Sequence, residues 1–269
     1  MSDSRQRRKQ VDTASASAAR LYDAFQRGKN GYEVDYEVAQ EVQKHIDMEQ
    51  VAPANRAFHN RSIEYAGTEL GITQFLDIGT GMPQEPNTHQ IAQHVKTGAR
   101  VVYVDNDPIV MRHAEALLHS SPGGVTDYVH ADLRDPQAIL AAARGTLDFE
   151  QPIAVLLIAV LHFVADQDRP VEIVADLLDP LAPGSCLLLT HFTDEFAPES
   201  CRAMEEIYRE QGITLVARSR EAIAAVLEPL DLIPPGLVEV QHWRPGPGDT
   251  PPSDVHLHTF GAVGLKKSL

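Results

Sequence analysis

The chain has only two cysteines in 269 residues, too few for a disulfide framework or a cysteine-based zinc site. It also lacks any apolar run near the roughly 20 residues that cross a bilayer, since the longest, Ile153 to Leu161, is about half that. Nor do the first thirty residues hold an apolar stretch of the signal-peptide type. The protein is therefore expected to be cytoplasmic, with no membrane partner. Basic excess is missing too. Lys and Arg number 23 against 38 Asp and Glu, and the formal net charge of −15 repels phosphates at long range, which speaks against nucleic acid as a partner. His89 and His94 lack metal-ligand spacing, with no HExxH pattern or Cys nearby, so no metal is expected. What is present is an ordinary globular composition, 43% hydrophobic and 23% charged.

Three stretches follow one another. Residues 1–17 carry the basic cluster Arg5, Arg7, Arg8 and Lys9 without apolar periodicity and are expected to form a disordered tail. Residues 18–70 show helical spacing, as in Val34, Val38, Val42 and Ile46, with Asp35 expected to cap a first long helix and Pro53 to sit in the first turn of a second. Across 71–269 short apolar runs alternate with helical stretches. The runs are Gln74–Ile78, Arg100–Val104, Asp127–His130, Ile153–Leu161 and Ser185–His191. Five βα units in a row predict a doubly wound α/β fold with a mostly parallel sheet. Two closing strands are expected at Leu232–Val240 and Val255–Val263, joined by the Pro/Gly-rich loop from Arg244 to Pro252.

The chemistry-bearing residues gather at the strand ends. Phe75-Leu-Asp-Ile-Gly-Thr-Gly81 is an apolar strand ending in Asp77 and two glycines, a turn that lets backbone approach a ligand. The same glycines would also serve a plain strand-to-helix turn. A dinucleotide fingerprint wants glycine at position 84, which is Gln84, and this weakens an NAD(P)-dependent oxidoreductase as an alternative. Asp105 ends the next strand, where a carboxylate commonly accepts from ribose hydroxyls, and Asp132 ends the third, where one can accept from an adenine amino group. Asp107 and Asp135 precede prolines and read as helix caps. The fourth run leads into His162, a candidate general base, with the alternative that its ring only orients the loop. His191 is a weaker candidate of the same kind.

Taken as a set, these motifs and Leu177-Leu-Asp-Pro-Leu-Ala-Pro-Gly184 resemble the class I methyltransferases that use S-adenosyl-L-methionine. More closely, the chain resembles the S-adenosyl methyltransferase family long catalogued as a domain of unknown function. The matching stretches include Ala19-Arg-Leu-Tyr-Asp23, Gly28-Lys29, Asn55-Arg-Ala-Phe58, Val101–Pro108, Val160-Leu-His-Phe-Val164, Arg218-Ser219 and Phe260-Gly-Ala-Val263. The resemblance implies a seven-stranded, Rossmann-like sheet in the order 3-2-1-4-5-7-6, strand 7 antiparallel, and a helical N-terminal lid. It implies that Gly79 and Gly81 back the methionine part, that Asp105 holds the ribose and Asp132 the adenine amino group. Asp77, Asn106, Leu133 and, from the lid, Arg20, Tyr22 and Lys29 complete the implied cofactor set. The implied activity is methyl transfer to a small-molecule acceptor, at O or N rather than C. A non-catalytic protein that merely binds S-adenosyl-L-methionine shares the same signature. One departure stands out: Gln26-Arg-Gly-Lys-Asn-Gly-Tyr32 replaces the family's Leu-Gly-Gly-Lys-Asp-Asn-Phe.

Overall fold

The computed structural model describes residues 13–117 and 119–267. Most of the expected N-terminal tail falls on residues 1–12, outside the described residues. Its last part is built into the protein: Ala16 is buried and the Ser17 hydroxyl caps the first helix by accepting from the Arg20 amide at 3.3 Å.

Helices α1 (Ala18–Phe25), α2 (Glu33–Gln43) and α3 (Met48–Thr68) come first. Then β1 (Gln74–Ile78), α4 (Thr88–Val95), β2 (Arg100–Asp105), α5 (Pro108–Leu117), β3 (Val125–His130), α6 (Pro136–Ala143), β4 (Ala154–Leu157), α7 (Pro170–Leu178) and β5 (Cys186–Phe192) alternate. The chain closes with α8 (Pro198–Glu210), α9 (Arg220–Leu227), β6 (Leu230–Leu232), β7 (Val238–Glu239) and β8 (Thr259–Lys266). The sheet order is β3-β2-β1-β4-β5-β8-β6, with β7 also beside β8. Strands β1 to β5 run parallel and β8 runs antiparallel to β5. This is the expected doubly wound architecture, β8 taking the place of the seventh strand.

Alternation along the strands divides the core. Leu76, Val102, Val155 and Leu187 face a cluster with α6, α7 and α9, while Phe75, Val101, Ala154 and Leu188 face a second one. That second cluster takes Phe58, Ile63 and Ala66 from α3, so α3 belongs to the packing of the sheet. A third cluster joins α1, α2 and α8 to Phe192 at the end of β5. Among the described residues no helix is long and apolar enough to cross a membrane.

Four local expectations need correction. Asp35 is not the cap of α2: Tyr32 is, and Asp35 stands one turn inside, fully buried, accepting from the Tyr32 amide at 2.8 Å and from Arg20 Nε at 2.6 Å. Pro53 lies beyond the first turn, because α3 starts at Met48 behind Asp47. The Leu232–Val240 run is interrupted by Pro234-Pro-Gly236, where the Gly236 amide closes a turn on the Ile233 carbonyl and splits the strand into β6 and β7. The last strand starts at Thr259 rather than Val255, following His258, whose φ of 48 turns the chain.

The fourth apolar run departs in a more useful way. It stays in the sheet only through Leu157 and then turns at Ala159, whose φ is 53, with the Ala159 amide held by Thr190 Oγ1 at 2.8 Å. A left-handed alanine is strained, and strain of this kind is retained where surroundings impose it. The turn sends Ile158 to Val164 outward as a wall.

Candidate functional site

That wall borders a cavity of ≈ 490 Å³ at the carboxyl edge of the sheet. It lies where the strand order reverses between β1 and β4, the position at which α/β sheets receive ligands. Its floor is the β1 turn, Asp77 to Gly81, and its far side comes from Asp105 to Asp107 and Ala131 to Arg134. Tyr22 of α1 and Asn55, Arg56 and His59 of α3 close it from above, with 211–214 after α8.

The glycines of the floor have different reasons. Gly79 has φ 73, and a Cβ there would stand 2.3 Å from Val160 Cγ2, so the wall can approach only glycine. Gly81, at φ 68, faces open space. Its amide donates to Asp105 Oδ2 at 2.9 Å, while Asp105 Oδ1 accepts from the Asp107 amide at 2.8 Å. Burial pushes the Asp105 carboxyl up, and these amides oppose the push.

Asp77 is buried deeper. Thr88 Oγ1 lies 2.5 Å from its Oδ2, and His59 Nε2 lies 2.9 Å from the same Thr88 oxygen. Burial pushes the Asp77 carboxyl up to about 6, against the Thr88 hydrogen bond and the charge of Arg56. Arg56 donates to the carbonyls of Gln84, at 2.5 Å, and Pro86. Its buried Nε has no partner, and neither has the buried Oδ1 of Asn55. An unpaired donor and an unpaired acceptor beside a buried carboxylate suit a ligand bearing both a carboxylate and an ammonium group.

At the other end, Asp132 is gripped by its neighbour: Arg134 donates through Nε to Oδ1 at 2.9 Å and through Nη2 to Oδ2 at 2.7 Å, and Asn106 Nδ2 adds a bond at 3.1 Å. The guanidinium holds the Asp132 carboxyl well below the usual carboxylate range. Leu133 is buried and lines the cavity beside it.

Of the residues singled out in the sequence, Asp77, Gly79, Gly81, Asp105, Asn106, Asp132, Leu133 and Tyr22 meet at this cavity. Three do not. Arg20 is buried between Asp35 and the Ser15 carbonyl, joining α1 to α2. Lys29 is exposed and is not part of the lining. His162 is turned into the protein, its Nδ1 accepting from the Phe192 amide at 3.3 Å and its ring packed on Phe163 and His191. Burial, together with His191 and Arg218, holds it well below the usual histidine range. The ring packs behind the wall and is not part of the cavity lining. Asp107 and Asp135 cap helices, their carboxylates accepting from Ile109 and Ala138 amides at 2.8 and 3.0 Å.

Arg56, His59 and Thr88 were not legible as site residues. A signal existed: Asn55, His59 and Ser62 form a polar stripe at helical spacing on the buried face of α3, where apolar residues are the rule.

The model of the S-adenosyl methyltransferase family matches residues 4–267. The chain belongs to that family. Members use S-adenosyl-L-methionine, and the floor, the carboxylate row and the unpaired groups around Asp77 fit such a cofactor. A crystal structure of a DUF574 family protein from Streptomyces avermitilis is 40% identical, with a TM-score of 0.89 over 96% of this chain and 100% of that one. A protein from Thermobifida fusca assigned as a methyltransferase is 36% identical, with a TM-score of 0.85 over 94% and 96%. Human N-acetylserotonin methyltransferase, solved with S-adenosylmethionine, shares the fold at 15% identity and a TM-score of 0.50, over 94% of this chain and 61% of that one. No curated protein is detectably similar to the chain. Among the described residues no group of His, Cys, Asp and Glu is placed to hold a metal ion.

Proposed function

We propose that this protein transfers the methyl group of S-adenosyl-L-methionine to a small-molecule acceptor, at oxygen or nitrogen. The observation that carries the proposal is the cavity at the β1/β4 switch point, walled by α1 and α3 to a volume suited to small ligands. Bound there, S-adenosyl-L-methionine supplies a methyl group on a sulfonium, already activated for displacement. The protein's task is then alignment of the acceptor and exclusion of water, and well-oriented pairs can gain roughly 7–11 kcal/mol in this way. Asp105 is assigned to the ribose hydroxyls, with Asn106 beside it. Asp132 and Leu133 are assigned to the adenine, Gly79 and Gly81 to the backing of the methionine part. Asp77, Asn55 and Arg56 are assigned to the cofactor's amino-acid end. Helix α1, through Tyr22, acts with α3 as the cover over the site.

Thermal unfolding with S-adenosylhomocysteine tests the binding half. At about 100 times the dissociation constant, one-site linkage stabilises the protein by about 2.7 kcal/mol. That raises the midpoint by roughly 5–10 °C for a chain of this size. Asp105→Ala is expected to abolish the shift, and a shift with NAD alone would overturn the reading. Formation of S-adenosylhomocysteine from S-adenosyl-L-methionine with hydroxyl- or amine-bearing small molecules tests turnover; binding without turnover across such a panel leaves a cofactor-binding protein.

A further inference from the structure

Thr88 has one hydroxyl hydrogen and two close neighbours that both need one. Its Oγ1 is 2.5 Å from Asp77 Oδ2 and 2.9 Å from His59 Nε2. The other ring nitrogen of His59 is 2.9 Å from Asn60 Oδ1, and with the Asn60 amide in this orientation, its oxygen toward the ring, the hydrogen is assigned to Nδ1. If Thr88 donates to Asp77, then His59 Nε2 must donate to Thr88 and the ring is an imidazolium. If Thr88 donates to His59, then Asp77 must be a carboxylic acid that donates to Thr88. Both contacts are hydrogen bonds only when Asp77 and His59 hold one proton between them. Without that proton, one contact sets lone pair against lone pair inside the protein, which burial makes costly.

Resting on the methyltransferase reading above, we propose that Thr88 relays this shared proton from Asp77 to His59 when the amino-acid end of the cofactor binds. In the transfer the Asp77 O–H bond breaks as its proton passes to Thr88 Oγ1, the hydrogen that Thr88 held passes to His59 Nε2 to form the new N–H bond, and the Thr88 hydroxyl then donates to the Asp77 carboxylate. No proton leaves the protein. The neutral pair becomes a carboxylate and an imidazolium, complementary to the ammonium and carboxylate of an α-amino acid. Both Asp77 and His59 line the cavity. Without ligand, burial favours the neutral pair from both sides, raising the Asp77 carboxyl and lowering the His59 ring. The charged groups around the pair are Arg56, which opposes the imidazolium, and Asp105, which opposes the Asp77 carboxylate. Tyr103, held by the His89 amide at 2.8 Å, also feels the Asp77 charge. A ligand carboxylate near Arg56 and His59 and a ligand ammonium near Asp77 relieve both oppositions at once. His59 and Thr88 are thus positioning residues, acting through the charge they set on Asp77.

The test uses the full chain, S-adenosylhomocysteine and pH 5.5, below the pH at which the Asp77 carboxyl ionises. Imidazole nitrogen NMR is expected to show His59 with one protonated nitrogen alone and two when S-adenosylhomocysteine is bound. Calorimetry in buffers of different ionisation enthalpy should then show no net proton release. Wild-type affinity should vary little below pH 6, where the pair keeps its proton, and should weaken above it, where His59 must take a proton from solvent to bind. In Thr88→Val the relay is cut, so Asp77 must release its proton to solvent, and affinity should fall about tenfold per pH unit below 6. Thr88→Ser, which keeps the hydroxyl, should restore the flat profile below pH 6. An unchanged His59 signal on binding, or release of about one proton by the wild type, overturns the relay while leaving the cofactor reading intact. Failure of the wild type to bind S-adenosylhomocysteine overturns that reading, and the relay with it.

Discussion

Replacing Arg218 by Met is expected to destabilise the protein by about 3–5 kcal/mol and to abolish the thermal response to S-adenosylhomocysteine. Arg218 precedes α9, and its buried guanidinium reaches back under the cavity wall. Nη1 donates to His191 Nε2 at 2.8 Å and to the Leu161 carbonyl at 3.3 Å, and Nη2 to the Val164 carbonyl at 2.7 Å. His191 can accept because its own Nδ1 donates to the Phe192 carbonyl at 2.7 Å. Asp166 also pairs with Arg218, at 2.7 Å, but its side chain is 78% exposed, so the ion pair contributes little. The large term is the burial of three acceptors left without donors, each costing about 1–3 kcal/mol before water or relaxation compensates. Phe163 and Val164, carried by this loop, line the cavity, which is why the loss reaches the cofactor site. Arg218→Lys should recover only part of it, because an ammonium cannot span the fork that a guanidinium spans. Denaturant titration decides the matter: a loss under about 1 kcal/mol for Arg218→Met would show that the wall holds itself.

The sheet was legible because its signals are local. Phe75–Ile78 and Val101–Val104 are short apolar runs, the first with Asp77 as its last residue but one and the second closed by Asp105, and both faces of such strands are covered. The row Asp77, Asp105, Asp132 followed from the same register, since every strand end points to one edge. What escaped is what the chain brings from a distance. Arg56 and His59 come from a helix that ends before the first strand, and nothing in their spacing marks the strand turn they will cover. Arg134 was equally hidden: it lies two residues from Asp132, yet only the backbone after β3 decides that its side chain doubles back onto that carboxylate. His162 misled for the opposite reason. Its position after an apolar run put it at the correct edge, but the run leaves the sheet at Leu157, and the turn at Ala159 places Phe163, not His162, on the cavity. Continuous hydrophobicity cannot distinguish a strand from a strand that becomes a wall.

Asp77→Asn is expected to stabilise the ligand-free protein at pH 8 by about 3 kcal/mol while weakening S-adenosylhomocysteine binding. The carboxyl is raised from 3.8 to about 6 by burial, so folding favours its protonated form. Stability from this group is complete below the unfolded value near 4 and is lost as the pH rises through the folded value near 6. Above that, the rise from 3.8 to about 6 corresponds to about 3 kcal/mol acting against the fold. Asparagine keeps the size and can still accept from Thr88, but it carries no charge to desolvate. The stability difference between variant and wild type should therefore grow from pH 4 to pH 8 in paired denaturant titrations, and a flat difference would remove the burial cost from the account. Binding should move the other way, because the variant loses the carboxylate assigned to the cofactor's ammonium group. A residue that costs the empty protein stability and is satisfied only by ligand is the arrangement expected of a binding site, where strain and burial are tolerated for what they hold. Gain of stability together with loss of binding in one substitution is a stronger result than either alone, since a merely structural carboxylate would lose stability on replacement.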